Sequence, residues 1–191
     1  MSIVTLLLSY APNAQAIDYI YGDANSTGCV LYVDGDELVA EGCNMNIRSG
    51  AGSTDATVNG LGNLIVGYDE STTISTKSGS HNLVVGANHS YTSYGGVVFG
   101  YENTISGAYG SVSGGKGNEA WGSYSSVSGG ENNVASGGSS SVGGGWANEA
   151  SGGASSVSGG GNSLASGGGS AVSGGSRTTA TGHYDWTAGE Q

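Results

Sequence analysis

A chain of 191 residues has room for one domain or two, and its net charge of −11 argues against a nucleic-acid or anionic-membrane partner. The only basic residues are Arg48, Lys77, Lys116 and Arg177, too few and too scattered to neutralise a phosphate backbone. Gly supplies 39 residues and charged residues only 10%, which excludes a conventional helical core and leaves disorder or a periodic fold.

The chain opens with Ile3 to Leu8 (IVTLLL), an apolar run too short to span a bilayer, followed by Ala14-Gln15-Ala16, an A-x-A cleavage site. Residues 1–16 are therefore expected to be a signal peptide, although the usual basic n-region is missing, and no membrane insertion is expected. Residues 17–62 read as an N-terminal β cap, with strands at Cys29 to Val33 and Leu38 to Ile47 around an Asp34-Gly35-Asp36 turn. Cys29 and Cys43 are the only cysteines. In an exported chain they suggest a disulfide, the other reading being two buried thiols. Their spacing is close to one repeat, and equivalent positions on adjacent coils would lie about 4.8 Å apart, within disulfide reach.

Residues 63–182 are repetitive. Val112, Val127, Val142, Val157 and Val172 recur with one spacing, and Ala120, Ala135, Ala150, Ala165 and Ala180 keep the same one. Asn103, Asn118, Asn133 and Asn148 form a third column, continued by Ser163 and Thr178. The consensus is SVSGGxxNxASGxxS, with two short β segments and two turns per unit. Segments this short and this rich in Gly cannot be helical. Alternation puts Val on one face and Ser on the other, and stacking pairs each backbone with the coil above and below. The fold class expected is all-β: a short-period parallel β-solenoid with a ladder of Val and Ala inside.

Earlier segments fit the same unit: Leu64 to Gly67, Leu83 to Gly86 and Val97 to Gly100. Tyr68 to Asn82 is expected to leave the stack as a loop. Leu83, Val85, Val97, Phe99 and Ile105 are expected to fill the early core. The late coils offer little apolar area, about 25 cal/mol per Å² against the entropy of ordering each coil. A homo-oligomer that buries a second face is expected, with a trimer favoured. Residues 183–191 (HYDWTAGEQ) read as a C-terminal capping tail, with Tyr184 and Trp186 covering the last coil.

No catalytic constellation stands out, so no enzyme activity and no cofactor or metal is expected. His81 and His89 read as surface residues. Gly110 to Lys116 (GSVSGGK) resembles the start of a P-loop, but Gly117 replaces the required hydroxyl residue. Asp34, Asp36 and Glu37 read as a solvated turn, with only a weak case for calcium. Tyr91, Tyr94, Tyr101, Tyr109, Trp121, Tyr124 and Trp146 draw notice. Trp121 follows inward Ala120 and is expected to point outward. Exposed aromatics suit sugar rings or protein partners, or else a protomer interface.

The unit resembles the head repeats of trimeric autotransporter adhesins, the YadA-like left-handed β-roll, whose pattern runs like SVAIGxxSxAxG. Ser126-Val127-Ser128-Gly129-Gly130 and Ala135-Ser136-Gly137 fill the matching slots, and the resemblance extends over about Asn63 to Gly182. It implies a trimeric β-roll on a bacterial surface, or secreted, that binds host cells, glycans or matrix. Where the adhesin pattern has an inward Ile, this chain has Gly114, Gly129, Gly144 and Gly159. The function expected is an adhesin-like structural or binding protein acting by multivalent display. Its candidate surface is Trp121, Tyr124 and Trp146, with the serines Ser111, Ser113, Ser126 and Ser128. One alternative is an ice- or crystal-surface binder that uses the S-x-S ladder. Another is a phage-fibre or self-assembling filament module.

Overall fold

The computed structural model describes residues 30–42 and 44–189. The expected signal peptide, Cys29 and Cys43 with their expected bridge, and residues 190–191 lie outside the described residues. The chain divides into two compact units, Met1–Asn46 and Ile47–Gln191.

The described part of the first unit is a hairpin of β1 (Val30–Asp34) and β2 (Glu37–Glu41), antiparallel, with Asp34 opposite Glu37. Gly35 holds φ +60 at the first position of the two-residue connection, the geometry that hairpin turns require. The second strand is shorter than its composition suggests. Gly42 takes φ +67 directly after Glu41, which ends the extended backbone six residues before Ile47's expected limit of the strand is passed.

The second unit is a parallel β-solenoid, and no described residue is helical. One sheet has nine strands: β3 (Leu64–Val66), β4 (Leu83–Ala87), β6 (Val97–Tyr101), β8 (Ser111–Val112), β10 (Ser126–Val127), β12 (Ser141–Val142), β14 (Ser156–Val157), β16 (Ala171–Val172) and β18 (Trp186–Thr187). The other has seven: β5 (Ser90–Tyr91), β7 (Thr104–Ile105), β9 (Glu119–Ala120), β11 (Val134–Ala135), β13 (Glu149–Ala150), β15 (Leu164–Ala165) and β17 (Thr179–Ala180). From β4 onward the chain alternates between the sheets, so each complete coil gives one strand to each. A parallel neighbour needs a crossover of about a dozen residues, and the trip through the opposite sheet supplies it.

Register follows the sequence period. Val127 pairs with Val112 on one side and Val142 on the other, and Ala135 pairs with Ala120 and Ala150. The Val column from Val84 to Val172 and the column Tyr91, Ile105, Ala120, Ala135, Ala150, Ala165 and Ala180 form one continuous core, each residue 2% exposed or less. Two glycine columns make the stacking feasible. A Cβ on Gly122 or Gly137 would lie 2.0 Å from the next coil's carbonyl oxygen, so only Gly permits that approach. Gly115 and Gly130 combine φ of +81 and +84 with a similar clash.

The interior also holds polar columns. Asn103, Asn118, Asn133 and Asn148 are buried, and each successive backbone N–H donates to the preceding Asn Oδ1 at 2.7–3.0 Å. Each Asn118, Asn133 and Asn148 Nδ2 donates to a carbonyl of its own coil and one of the next. Buried amides so paired avoid the desolvation penalty of an unmatched polar group. Ser125, Ser140, Ser155 and Ser170 form another inward column, and their hydroxyls have no protein partner.

Several expectations from sequence are corrected. Gly114, Gly129 and Gly159 do not mark hollow inward positions, because a Cβ on any of them would meet nothing within 4 Å. Gly144 likewise has only a carbonyl of Gly129 at its margin. Alternation stops at the serine before them, where the chain begins its turn. Leu83, Val85, Val97 and Phe99 lie on the outer side of the nine-stranded sheet, because Val84 and Val98 between them take the inward places in register. Of that early set only Ile105 is in the core.

His89 is 1% exposed rather than a surface residue. It stands one coil before Asn103 in the asparagine column. Its Nδ1 accepts the Asn103 N–H at 3.2 Å, as an Asn Oδ1 would, and its Nε2–H donates to the Val85 carbonyl at 3.1 Å. His81 Nε2 accepts the Ser49 N–H at 3.1 Å, so it too is tied into the fold.

The segment from Tyr68 to Asn82 does not leave the stack entirely. The Tyr91 N–H donates to Thr76 O, the Gly79 N–H donates to Tyr91 O, and Ser80 bridges Tyr94, so its second half runs along the coils. Only the first half projects. At the far end, β18 continues the register, with Trp186 beside Ala171 and Thr187 beside Val172. Trp186 and Tyr184 remain 65% and 77% exposed, outside the roll and not over the last coil.

Candidate functional site

The residues singled out by sequence do not converge on one place. Val112, Val127, Val142, Val157 and Val172, with Ala120, Ala135, Ala150, Ala165 and Ala180, are buried structure. Ser111, Ser113, Ser126 and Ser128 lie on the outside of the nine-stranded sheet. Trp121 lies just past β9, outside the seven-stranded sheet. Tyr124 is in the turn that follows Trp121, and Trp146 is in the turn at the opposite edge of the coil, bridging Glu131 and Gly161.

The serine ladder is not uniform. Gly143 takes the place of an outward serine between Ser128 and Ser158 and opens a notch of about 300 Å³ there. Tyr124 belongs to a different ladder. Its ring stacks on Tyr109 at a centroid distance of 5.4 Å, and Tyr109 meets Tyr94 edge to face at 5.4 Å. These three rings sit on successive coils, and Tyr109 and Tyr124 hold left-handed backbone at φ +57 and +60. The ladder stops at Ser139.

A concave polar surface lies where the repeat is broken. The first half of the early insertion folds over the outside of the seven-stranded sheet. The Lys77 Nζ donates to the Asp69 carboxylate at 2.7 Å and to the Glu70 carbonyl at 2.8 Å, and it also bonds the Asp69 carbonyl. The Tyr91 hydroxyl donates to the same carboxylate at 3.4 Å. Burial, helped by the charge of Asp69, pushes the Tyr91 phenol up to about 12. Thr72 and Ser75 hydroxyls lie 2.9 Å apart and close the tip of the arm.

Between this arm and the sheet is a groove of about 600 Å³. Its wall is Thr72, Thr73, Ile74, Ser75 and Thr76. Its floor has one row from strands in register, Ser90, Thr104 and Glu119, and a second row from turns, Asn88, Glu102, Gly117 and Asn132; Thr92 completes the lining. Asn88, Glu102 and Asn132 all hold left-handed backbone, with φ +60, +55 and +56, which fixes this turn row on every coil. Hydroxyls and amides, which both donate and accept, dominate the lining.

The groove has two carboxylates. Burial against the sheet raises Glu119 above the ordinary carboxylate range. Among the described residues the one ion pair is Lys77 with Asp69, so neither Glu102 nor Glu119 has a cationic side chain paired to it. Ile74 on the arm is 85% exposed, and Trp121, two residues beyond Glu119 on the same outward side of buried Ala120, is 52% exposed. The site therefore offers hydroxyl-rich walls and two hydrogen-bond-accepting acids, with an exposed aromatic two residues beyond Glu119.

No group of three His, Cys, Asp or Glu side chains among the described residues is placed to hold a metal ion, the Asp34 and Asp36 turn included. No helix among them is long and apolar enough to cross a membrane. No family model, no curated protein and no solved structure matches the chain.

Trp121, which follows Glu119 by two residues but does not line the groove, was legible in the sequence. Glu102, Glu119, Ser90, Thr104 and the Thr72–Thr76 arm were not. The available signal was the length of the insertion after Gly67 together with its run of hydroxyl residues, Ser71 to Thr73 and Ser75 to Thr76.

Proposed function

We propose that this chain is a secreted or surface-exposed, adhesin-like binding protein of bacterial origin that has no enzymatic activity. It works by presenting a rigid repetitive β-roll to cells, glycans or matrix. The observation that carries this reading is the polar groove built against an otherwise regular stack, with exposed Trp121 two residues beyond its Glu119. The stack holds the groove at fixed geometry, because its floor residues belong to strands in register over a continuous core. The likeness of the repeat to adhesin head repeats supports the same reading.

Multivalent display requires more than one copy, and a homotrimer is the proposed form. Leu64, Val66, Leu83, Val85, Val97 and Phe99 form an outer apolar face across three neighbouring strands in register, where a second copy of the chain would dock. Leu64 and Val66 are 46% and 54% exposed. The face turns to serine at Ser111, so the apolar contact would be confined to the early coils. Light scattering on the mature protein is expected to give three times the protomer mass, and Val85→Glu is expected to reduce it to one without loss of β-structure. A monomeric wild type that binds no cell, glycan or matrix component contradicts the proposal.

The ice-surface alternative has weaker support, because the serine ladder is interrupted at Gly143 and a flat lattice match needs an unbroken one. Absence of thermal hysteresis at high protein concentration eliminates it.

A further inference from the structure

We infer that the groove between the Thr72–Thr76 arm and the seven-stranded sheet is a saccharide subsite selective for an amino sugar. Glu102 and Glu119 would hold the ammonium, and Trp121 would carry the apolar face of the ring. The inference rests on the adhesin-like reading only in supposing that the ligand comes from a cell or matrix surface.

Four observations lead to it. The lining is dominated by hydroxyl and amide groups, which match the mixed donors and acceptors of sugar hydroxyls. The two carboxylates accept only, and no cationic side chain among the described residues is paired with either. A ligand with a compact cation among hydroxyls fits both facts. Glu119 is partly buried, which strengthens its attraction for a ligand cation relative to a fully solvated acid. Finally, Ile74 in the wall and Trp121, two residues beyond Glu119 on the same outward side, expose apolar surface, and a pyranose ring pairs an apolar face with a hydroxyl edge.

Two other ligands fit less well. A divalent cation needs more acidic or imidazole ligands than any cluster of described residues provides. A lysine-rich peptide would satisfy the carboxylates but leave the hydroxyl rows of Ser90 and Thr104 unmatched.

Isothermal titration of the mature protein compares a glucosamine oligomer, its N-acetylated counterpart and an oligolysine peptide at low salt. The glucosamine oligomer is expected to bind about tenfold tighter than the acetylated one, the scale of one charge-assisted hydrogen bond. Glu119→Gln, conservative and on the outer side, is expected to abolish that difference, and Trp121→Ala to weaken both sugars. Circular dichroism verifies that each variant remains folded. Equal affinity for the two sugars, or binding of neither, overturns the inference. So does oligolysine binding that Glu119→Gln abolishes while no sugar binds. Cell binding that survives the Glu119→Gln and Trp121→Ala double change overturns the groove assignment alone. Wild-type protein that binds no surface at all overturns the broader reading with it.

Discussion

Asn133 donates its backbone N–H to the side-chain oxygen of Asn118 on the preceding coil, at 2.9 Å. The contact is buried and repeats up the roll. Asn133 also donates from Nδ2 to the Gly129 and Gly145 carbonyls, while its own oxygen receives the Asn148 N–H. Asn133→Ala keeps the backbone donation to Asn118 but removes the Nδ2 bonds to Gly129 and Gly145 and the Oδ1 acceptor of the Asn148 N–H, leaving buried groups unmatched. Each such group costs about 1–3 kcal/mol, so a loss of about 3 kcal/mol is expected in denaturant unfolding. Ser128→Ala, on the outer side, is expected to cost no more than about 0.5 kcal/mol.

Two glycines in the same coil should respond very differently to a methyl group. On Gly137 the new Cβ would lie 2.0 Å from the Gly152 carbonyl oxygen, and backbone must move. On Gly129 it meets nothing within 4 Å. Gly137→Ala is expected to destabilise by about 3 kcal/mol or more, in the range of overpacked cores. Gly129→Ala is expected to change stability by less than about 1 kcal/mol. Thermal unfolding of the two variants side by side checks the difference.

His89 makes the fold sensitive to acid. Burial holds its imidazole below the ordinary 6.5, against backbone hydrogen bonds that act the other way and with a small push from the charge of Lys77. Its Nδ1 is already occupied as an acceptor from Asn103. The unfolded chain therefore takes up a proton that the native chain refuses. Stability from the neutral ring is complete above the unfolded value and declines as pH falls below it. His89→Asn restores the column's usual amide and is expected to flatten the pH dependence of the melting temperature between about pH 7 and pH 5.

The hydroxyls of Ser125, Ser140, Ser155 and Ser170 are buried without protein partners. Replacing one by a methyl removes the desolvation burden and only a small volume. Ser140→Ala is expected to leave stability unchanged or to raise it. A clear loss, read as a lower urea midpoint, would contradict that expectation.

The period was legible because a single inward Val per coil recurs in a background of Gly and Ser. Val127 and Val142 stand one above the other for that reason. The early coils were misread because Leu83-Val84-Val85 and Val97-Val98-Phe99 are apolar throughout, so alternation within them names no face. Only register against Val112 does. Gly114 does not follow the alternation because β8 ends at Val112 and the chain turns from Ser113 onward. His89 was obscured by its residue type, since an imidazole does not look like the amides whose column it shares. The groove was hidden because its arm is the one projecting segment without a repeat, held by a contact between Lys77 and Asp69 that no periodicity encodes.

Paired cysteines test the stacked register most directly. Ser126 and Ser141 are register partners on adjacent parallel strands, about 4.8 Å apart and within disulfide reach, whereas Ser156 is one coil further on. Mild oxidation followed by mass spectrometry of the linked peptides should find near-complete bridging in Ser126→Cys/Ser141→Cys and none in Ser126→Cys/Ser156→Cys. Bridging that is equal in both pairs, or found only in the second, would contradict the fold described.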